Sequence, residues 1–350
     1  MNRVFAQQLL NWYAVHQRAL PWRGLRDPYA VWVSEIMLQQ TQVETVKPYF
    51  ERWLKRFPTV QALAEAPLQK VLAMWEGLGY YSRARNLHRA AQKIVNEFYG
   101  QIPNSVEQLR TLPGIGPYTA GAIASIAFNL DAAALDGNVK RVLARVFNYS
   151  GDVKSPTGVK DLWALAEALV PRGRAGDYNQ ALMDLGATIC TPRNPTCWVC
   201  PVRQHCEALK LGLVAERPIT RARAAMPHHT LAVAVIRKRG RVLIVQRPAE
   251  ALLGGLWMFP AVKVENGVAR ASHLRQGLRA DLKVSIQVQA ATHIISHAYT
   301  HFKVTAHIFD CVWKSGQPKS DKQVKWATLS SLANYPMGKV DRRIAQTLWP

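Results

Sequence analysis

The sequence predicts two domains, an all-helical one followed by one that mixes strands and helices. Apolar residues before position 212 recur at helical spacing, as at Phe5, Leu9 and Tyr13, which is typical of amphipathic helices on a core. After Leu211 the pattern changes to short strand-like runs separated by turn signals. A length of 350 residues suits two or three domains of roughly 150 residues each.

The chain is strongly basic in both halves. Its formal net charge is +22 and its pI is about 10.1. Residues 1–212 hold 24 basic and 16 acidic side chains, and residues 213–350 hold 21 basic and 7 acidic ones. Such a field favours polyanions, with nucleic acid ahead of anionic membrane. The same charge could also serve solubility alone.

The sequence predicts no membrane partner. No apolar run approaches the roughly 20 residues that a spanning helix needs, and the start MNRVFAQQLLNWY lacks the apolar core of a secretory signal. We therefore expect a cytoplasmic protein, as in a bacterium, in which cysteines stay reduced.

A tight turn between two predicted helices could bind an anion. The first helix is predicted at about 105–110 and the second begins near Pro117. The segment LPGIGPYTAG (112–121) joins them and includes the start of the second helix. Gly114 and Gly116 let the backbone turn sharply and expose its N–H groups, and Pro117 fits a first helical turn. A helix amino terminus with free amides binds anions, although many ordinary turns share this pattern.

Four of the five cysteines lie in one loop, 190–206, with six, two and five residues between them: Cys190, Cys197, Cys200 and Cys206. Structural zinc usually takes its ligands from two short, well-separated pairs. One compact loop better suits a cuboidal iron–sulfur cluster, although the spacing alone leaves zinc open. Cys311 stands alone in an apolar strand-like run and is interpreted as a buried residue.

Two acidic residues occur in contexts that suit catalysis. Asp136 follows Gly116 by twenty residues in LDGNVKR, where an aspartate before a helix is also a common cap. Glu35 lies in the apolar stretch VWVSEIMLQQTQV, where poor solvation raises the pKa of a carboxyl group. It could equally be a partly buried acid paired with an arginine.

The second domain is predicted over 229–350, after a polar and basic linker at 213–228. The runs LAVAVI (231–236) and RVLIVQ (241–246) flank the turn RKRG, a strand–turn–strand pattern. The remaining predicted elements are strands at 283–288 and 302–312 and a helix at 273–280. The domain is therefore predicted to be α+β.

Together, the glycine turn, the later aspartate and the cysteine spacing resemble the helix-hairpin-helix DNA glycosylases of the endonuclease III branch. SEIMLQQTQV and GLGYYSRARNL (77–87) narrow the resemblance to the MutY-type adenine DNA glycosylases. The resemblance spans 3–211 strongly and 229–350 more loosely. It implies an all-α helix-hairpin-helix glycosylase domain over 1–212, with its hairpin at about 105–128 and a cluster loop, followed by an α+β MutT/Nudix-like domain.

The resemblance also implies an activity. Such enzymes act in base excision repair: they flip adenine out of duplex DNA where it pairs with 8-oxoguanine or guanine, and hydrolyse its N-glycosidic bond. Glu35 would protonate the adenine, and Asp136, oriented by Asn138, would stabilise the sugar cation, as paired carboxylates do in glycoside hydrolysis. The implied cofactor is a [4Fe-4S] cluster on the four cysteines, and the implied partner is double-stranded DNA with an A:8-oxoguanine or A:G mispair.

Tyr118 occupies the position of the Schiff-base lysine in bifunctional relatives, and tyrosine cannot form that adduct. A monofunctional enzyme is therefore implied. The resemblance further implies that Gln40 and Tyr80 wedge into the base stack and that Gly114 and Gly116 form the phosphate-binding turn. It also implies that the adenine pocket is lined by Trp22, Arg23 and Gln180. For Tyr80 and Trp22, packing in the core is the alternative.

The resemblance also assigns a role to the second domain. GGLWMFP (254–260) matches the MutT-like domain, but HLRQGLRADL (273–282) lacks the glutamates of a Nudix hydrolase, so no pyrophosphatase activity is expected. The family reads 8-oxoguanine with a Phe-Ser-His turn. We expect its counterpart at Ile295, with Ser296 and His297 as the reading side chains.

Two other functions remain to be weighed against this one. An endonuclease III-like lyase for oxidised pyrimidines is opposed by Tyr118 and by the second domain. A non-catalytic DNA-binding scaffold is opposed by the two carboxylates in matched contexts.

Overall fold

The structure is a computed structural model that describes residues 2–221, 225–265, 270–318 and 323–348. The parts of the predicted linker and second domain between and beyond these ranges lie outside the described residues. The chain forms two compact units, one of residues 1–65 and 86–223 and one of residues 66–85 and 224–350. The first is helical and the second is built on a mixed sheet, so the predicted fold class is confirmed.

The helices up to residue 210 follow one another with short connections. In chain order they are α1 (Asn2–His16), α2 (Pro28–Leu38), α3 (Val43–Arg56), α4 (Val60–Glu65), α5 (Leu68–Trp75), α6 (Ser82–Glu97), α7 (Val106–Leu109), α8 (Pro117–Phe128), α9 (Gly137–Val146), α10 (Pro156–Leu169), α11 (Ala175–Thr188) and α12 (Glu207–Lys210). The predicted hairpin corresponds to α7 and α8. Helix α5 and the first turn of α6 belong to the second unit.

Local sequence explains where several of these helices begin. The side chain of Asp27 accepts hydrogen bonds from the first backbone N–H groups of α2, and Ser155 and Asp136 do the same for α10 and α9. Side-chain oxygens at this position satisfy donors that have no partner within the helix. Helix α8 is apolar on nearly every face and is buried over most of its length, as a central helix of a bundle should be.

The second unit contains a mixed sheet, which has seven strands in the described residues. The elements are β1 (His228–Lys238), β2 (Arg241–Gln246), β3 (Trp257–Met258), β4 (Ala261–Val264), α13 (Ala271–Leu282), β5 (Ser285–Ala298), β6 (Lys303–Ser315), β7 (Val324–Thr328) and α14 (Lys339–Thr347). The order along the sheet is β3-β2-β1-β6-β5, with β4 paired to β1 and β7 to β2. Strands β1 and β6 are parallel, and the other pairs are antiparallel.

Both faces of this sheet are covered. Val233 and Val235 of β1 pack into the same core as Ile344 of α14. The alternate residues, such as Ala234, share a core with Leu274 of α13. Successive side chains of a strand point to opposite faces, so a strand buried on both faces is apolar throughout, as the predicted run LAVAVI is.

Residues 66–85 pack within the second unit, whereas the sequence placed them in the first domain. The Glu76 carboxylate accepts hydrogen bonds from Arg342 at 2.5 and 3.0 Å and from the Met337 N–H at 3.2 Å. Gln69 donates to the Gly255 carbonyl and accepts from Trp257 Nε1, both at 3.0 Å. These partners are more than 180 residues away in sequence, so no local sequence pattern predicts the contacts.

The first part of the predicted linker is ordered against the helical unit. Arg145 Nε donates to the carbonyls of Val214 at 3.1 Å and Arg217 at 3.0 Å. The Val153 N–H donates to the Ile219 carbonyl at 3.2 Å. Residues 213–221 therefore belong to the helical unit, although the sequence assigned them to the linker.

Candidate active site

A cavity of about 1100 Å³ in the helical unit collects the predicted site residues of that unit, apart from the cysteines. These are Trp22, Arg23, Glu35, Gln40, Gly114, Gly116, Tyr118, Asp136, Asn138 and Gln180. They come from α2, α8, α9, α11 and the adjoining loops, which are far apart in sequence. A large cavity with convergent polar groups is the usual form of a substrate site.

Glu35 lies on α2 among apolar neighbours and is 5% exposed. Burial raises the pKa of its carboxyl group, and the nearby charge of Asp136 adds to this effect. A hydrogen bond from Tyr118 and the charge of Arg23 oppose the rise. Burial is the largest of these influences, so Glu35 holds its proton more strongly than an exposed glutamate does.

Tyr118 is in the first turn of α8, and its hydroxyl donates a hydrogen bond to Glu35 Oε2. Burial, followed by the charges of Glu35 and Asp136, raises the pKa of Tyr118 well above its ordinary value. The phenol therefore stays protonated and acts as a donor. The sulfur of Met183, a residue the sequence did not single out, lies 3.8 Å from the same oxygen.

Asp136 is the N-cap of α9, and its carboxylate is held by two donors. The Val139 N–H donates to Oδ1 at 2.7 Å, and Asn138 Nδ2 donates to Oδ2 at 3.2 Å. Burial raises the pKa of Asp136, while backbone hydrogen bonds and the charge of Arg141 oppose the rise. Because these donors and the amino end of a helix favour the anion, Asp136 is the better placed of the two acids to carry the charge.

Arg141 was not predicted, but it holds this arrangement together. Its Nη2 donates to Asn138 Oδ1 at 2.9 Å and to the Gly186 carbonyl at 2.7 Å, and its Nε donates to the Cys190 carbonyl at 2.8 Å. It lies one helical turn after Asn138, and residues three apart on a helix are neighbours. That spacing was the signal that could have found it.

The residues predicted to line the adenine pocket, Trp22, Arg23 and Gln180, are on the wall of the cavity. Two of them, Arg23 and Gln180, form hydrogen bonds within the protein. Arg23 donates to Gln180 Oε1 and to Asp184 Oδ1, the second at 2.5 Å. Asp184 is fully buried and also pairs with Arg18 at 2.7 Å. Trp22 is 6% exposed and meets Phe50 edge to face, so its core-packing alternative is partly correct.

The phosphate turn has the geometry that glycine permits. Gly114 has φ +80°, and a Cβ there would lie 2.7 Å from the Cβ of Asn86, so both the conformation and the space exclude larger residues. Gly116 is the N-cap of α8 and faces open space. Gln40, exposed at the end of α2, has φ 55°, a conformation that is uncommon for non-glycine residues and is enriched at functional sites.

The four cysteines Cys190, Cys197, Cys200 and Cys206 line one small, mostly apolar cavity. Arg145 donates to Cys190 Sγ at 3.3 Å and to the Thr191 carbonyl at 2.7 Å. Burial raises the pKa of the Cys200 thiol to about 12, so a bare thiolate there would be unfavourable. No group of three or more His, Cys, Asp or Glu side chains in the described ranges is arranged to hold a single metal ion.

In the second unit, a cavity of about 770 Å³ adjoins Tyr80. Tyr80 has φ 46°, and its hydroxyl donates to Thr300 Oγ1. His297 also lines this cavity, whereas Ser296 lies at 3.4 Å from Thr305 on β6. Ser296 and His297 are successive residues of β5, so their side chains point to opposite faces of the sheet, and only His297 lines this cavity. That the two read a base together stays a prediction.

The connection between β5 and β6, Tyr299 to Phe302, was missed. Tyr299, Thr300 and His301 line the Tyr80 cavity together with His297. Burial and the positive charges of Lys339 and Arg343 lower the pKa of His297, so its ring is neutral near pH 7. An aromatic, a hydroxyl and an imidazole in sequence, Tyr299-Thr300-His301, were the signal that could have identified this turn.

The described residues include no helix long and apolar enough to cross a bilayer.

Helix α13 carries a single acidic residue, Asp281. The helix predicted at 273–280 is therefore present as α13.

Comparison with known proteins agrees with both units. A family model described as "HhH-GPD superfamily base excision DNA repair protein" matches residues 33–167, and a "NUDIX domain" model matches residues 232–347. The thermostable thymine-DNA glycosylase structure aligns with a TM-score of 0.56 and 32% identity, covering 60% of this chain and 97% of that one. An endonuclease III–DNA complex aligns with a TM-score of 0.52 and 20% identity, covering 60% of this chain and 96% of that one, which supports the fold alone.

The adenine DNA glycosylase of Mus musculus is 36% identical to this chain, over 97% of this chain and 77% of its own length. The likeness therefore extends through both units and is not confined to the helical fold. On this basis the chain belongs to the adenine DNA glycosylases, enzymes of base excision repair.

Proposed function

We propose that the enzyme hydrolyses the N-glycosidic bond of adenine paired with 8-oxoguanine or guanine in double-stranded DNA, and leaves the DNA backbone intact. The observation that carries the proposal is the pair of acids in one cavity. Glu35 is buried with a raised pKa, and Asp136 accepts hydrogen bonds from two donors that favour its ionised form. This is the division of labour that cleavage of a bond to a sugar needs.

Glu35 acts as the general acid. Its protonated carboxyl donates a proton to a ring nitrogen of the flipped adenine, which makes the base a better leaving group. Tyr118 donates to Glu35 Oε2, which fixes the rotamer of the carboxyl and leaves its other oxygen for the base. The raised pKa increases the fraction of Glu35 that is protonated at a given pH.

Asp136 stabilises the positive charge that develops on the deoxyribose as the bond breaks. The hydrogen bond from Asn138 orients the carboxylate toward the cavity. An anion in a water-poor cavity stabilises a cation far more strongly than it would in bulk water. Water then adds to the sugar, and no covalent enzyme intermediate with Tyr118 forms because a phenol cannot make a Schiff base.

The Tyr80 cavity of the second unit supports a role in reading the base that pairs with the adenine. His297 and Thr300 offer a ring nitrogen and a hydroxyl, and Tyr80 offers a planar ring. These are the groups that read a base edge and stack on a base. We therefore assign recognition of 8-oxoguanine to His297 and the Tyr299–Phe302 turn, in place of the Ser296–His297 pair.

The cysteine loop fits a [4Fe-4S] cluster. The four cysteine side chains line a common cavity. Around one zinc ion, ligand sulfur atoms at ~2.3 Å from the metal must crowd together, whereas a cuboidal cluster holds its cysteines farther apart. The cluster would hold the shape of the loop 190–206. We place the enzyme in the bacterial cytoplasm, where its charge of +22 favours chromosomal DNA.

The test is a single-turnover assay on an A:8-oxoguanine duplex. Glu35→Gln and Asp136→Asn are each expected to bind DNA and to lower the excision rate by about 10²–10⁴-fold, the contribution of a positioned acid or base. Glu44→Gln is the matched control, because Glu44 is 79% exposed and pairs only with Lys47 among the described residues.

The product analysis separates this function from a lyase. Wild-type product should break only after alkali, and borohydride should trap no covalent complex. If either acid variant excises adenine at the wild-type rate while Glu44→Gln behaves normally, the assignment of the two acids is wrong.

A further inference from the structure

The cavity that holds Glu35 and Asp136 has a basic wall to which the proposed function gives no role. Arg217 and Lys154 line the cavity there, and both belong to the helical unit. Arg217 lies in the segment 213–221, which the sequence assigned to the linker, so it was not among the predicted site residues. The wall therefore adds positive charge to a cavity that is proposed to receive part of a DNA strand.

Arg217 is 9% exposed, yet no close partner balances its charge. Its Nε is buried without a hydrogen-bond partner among the described residues. Within that same part of the chain, the carboxylate at ion-pair range is that of Glu216, whose Oε2 is 4.0 Å from Arg217 Nη1. This distance is too long for a hydrogen bond, and Glu216 is itself exposed. Because a buried charge is costly unless it is paired, the guanidinium is suited to bind an anion that enters the cavity.

The backbone around Arg217 is held against the helical unit. Arg145 Nε donates to the Arg217 carbonyl at 3.0 Å, and the Val153 N–H donates to the Ile219 carbonyl at 3.2 Å. Lys154 follows Val153 directly, and its exposed side chain reaches the same cavity. Arg217 is therefore in place before a ligand binds, which reduces the entropy that binding costs.

We propose that Arg217 binds one of the two backbone phosphates that flank the flipped adenosine, with Lys154 adding positive charge beside it. The inference rests on the proposed excision of adenine in this cavity. The phosphates are the anionic groups of DNA, and a planar guanidinium matches the oxygens of a phosphate with two parallel hydrogen bonds. A nucleotide that swings out of the stack about its backbone brings its two flanking phosphates to the site.

The two phosphates are bound by different elements. The turn with Gly114 and Gly116, predicted to bind a phosphate, lines the same cavity and takes one of them. Arg217, from the segment after the cysteine loop, takes the other. Two fixed phosphates restrict the sugar between them, and such restriction brings the reacting carbon to a set position near Asp136. Arg217 thus contributes to excision by binding and positioning, and it transfers no proton.

The experiment combines a protein variant with a neutral phosphate and measures the affinity of the full-length enzyme for DNA. The probe is a duplex with 2′-fluoro-2′-deoxyadenosine opposite 8-oxoguanine, which resists cleavage because the fluorine disfavours positive charge on the sugar. An uncharged methylphosphonate replaces each flanking phosphate in turn. At one of the two positions the wild-type affinity is expected to fall about tenfold, since a hydrogen bond between charged groups is worth about that factor.

Arg217→Met keeps a long apolar side chain and removes the charge. It should bind the unmodified duplex about tenfold more weakly and lose no further affinity at that methylphosphonate. A plot of its log affinity against log salt should be shallower by about one, as for one lost phosphate contact. Arg217→Lys keeps the charge without the planar fork and should recover part of both effects. Arg221→Met is the matched control, because Arg221 is in the same segment and 92% exposed, and it should leave the methylphosphonate effect unchanged.

Equal wild-type affinity for the three duplexes would overturn the proposal, and this comparison needs no variant that must fold. It would also be overturned if the losses from Arg217→Met and from the methylphosphonate simply add at both positions, or if Arg217→Met binds as the wild type does. Excision from the matching deoxyadenosine duplex by the wild type tests the proposed function separately. Absence of excision would refute that function, whereas the coupling between Arg217 and a phosphate is read from binding alone.

Discussion

At the scale of single residues, the hydrogen bond from Tyr118 affects the protonation of Glu35, the proposed general acid. The bond favours the ionised form of Glu35 and so lowers the pKa of its carboxyl, while burial raises it further than the bond lowers it. The proposed acid is active only when protonated. Excision should therefore fall as pH rises through the pKa of Glu35.

Tyr118→Phe tests this relation. Without the phenolic donor, the ionised form of Glu35 loses a stabilising bond, so its pKa should rise. The alkaline limb of the single-turnover rate against pH is then expected to move to higher pH, whatever happens to the maximal rate. An alkaline limb that stays in place, or moves to lower pH, would show that another group sets it.

Asp136 shows how one residue can serve a fold and a reaction. Its Oδ1 caps α9 through the Val139 N–H, so the common-cap interpretation of the sequence is correct. Its Oδ2 is held by Asn138 and lines the cavity. Asparagine is also a good N-cap, which is why Asp136→Asn is expected to keep the helix and to lose only the charge.

At the scale of elements, the crossing of α9 and α11 positions the proposed catalytic carboxylate. Gly186 of α11 lies against Asn138 of α9 so closely that a Cβ there would be 2.7 Å from the Asn138 Cβ and 3.3 Å from its Cα. The Gly186 carbonyl also accepts from Arg141. The glycine therefore permits the approach that lets Asn138 reach Asp136.

Gly186→Ala is expected to push the two helices apart or to rotate Asn138. Overpacking of this kind costs about 1–3 kcal/mol of stability, and excision should fall by more than the loss of folded protein explains. Thermal unfolding and single-turnover rates at a temperature where the variant is folded measure both effects. Gly137→Ala is the control for stability, since a Cβ there meets nothing within 4 Å. Unchanged excision in folded Gly186→Ala would contradict this role.

The cysteine loop is a second element for which a testable prediction can be made, its metal content. The enzyme purified without oxygen is expected to be brown and to contain about four irons per chain, as one cluster of this kind requires. Removal of the iron should loosen the loop 190–206, because it would remove the cross-link that the cluster forms among the four cysteines. Iron analysis and limited proteolysis of the loop are the measurements. One zinc per chain and no iron would decide for the zinc alternative.

At the scale of the whole molecule, the second unit is built from two distant parts of the chain. Helix α5 and residues up to 85 share its contacts with Arg342, Trp257 and Gly255. Removing residues 224–350 would therefore take away the hydrogen-bond partners of Gln69 and Glu76 in this segment. The cavity with Glu35 and Asp136 lies wholly in the helical unit.

The truncated enzyme should still excise adenine opposite guanine, but it should be less stable and should lose preference for 8-oxoguanine. One or two lost hydrogen bonds correspond to about 1–3 kcal/mol of discrimination. The measurement is the ratio of excision rates opposite 8-oxoguanine and guanine at fixed salt, because basic contacts make affinity depend on salt. An unchanged ratio would place the recognition in the helical unit.

A point variant separates recognition from the stability of the truncated chain. Thr300→Val keeps the shape of the turn and removes the hydroxyl that pairs with Tyr80, so it should lower the same ratio in the full-length enzyme. Ser296→Ala is the matched control, since Ser296 pairs with Thr305. A larger effect from Ser296→Ala than from Thr300→Val would restore the assignment first made from the sequence.

The sequence by itself determined the helical and α+β fold class and the main strands of the second unit, and it identified the acids and cysteines for which functions are proposed. Each of these follows from local signals: apolar periodicity, Pro and Gly at turns, a cap residue, and ligand spacing within one loop. The β1–β2 hairpin is an example, because its turn and its register at Lys238 and Arg241 lie within a few residues of each other.

Only the tertiary structure decided which distant groups meet. It grouped residues 66–85 with the second unit, placed Arg141 between Asn138 and the cysteine loop, and put Thr300 rather than Ser296 beside Tyr80. Such contacts join residues that are tens to hundreds of positions apart. Packing of whole elements selects them, and no pattern within a short window of sequence records that choice.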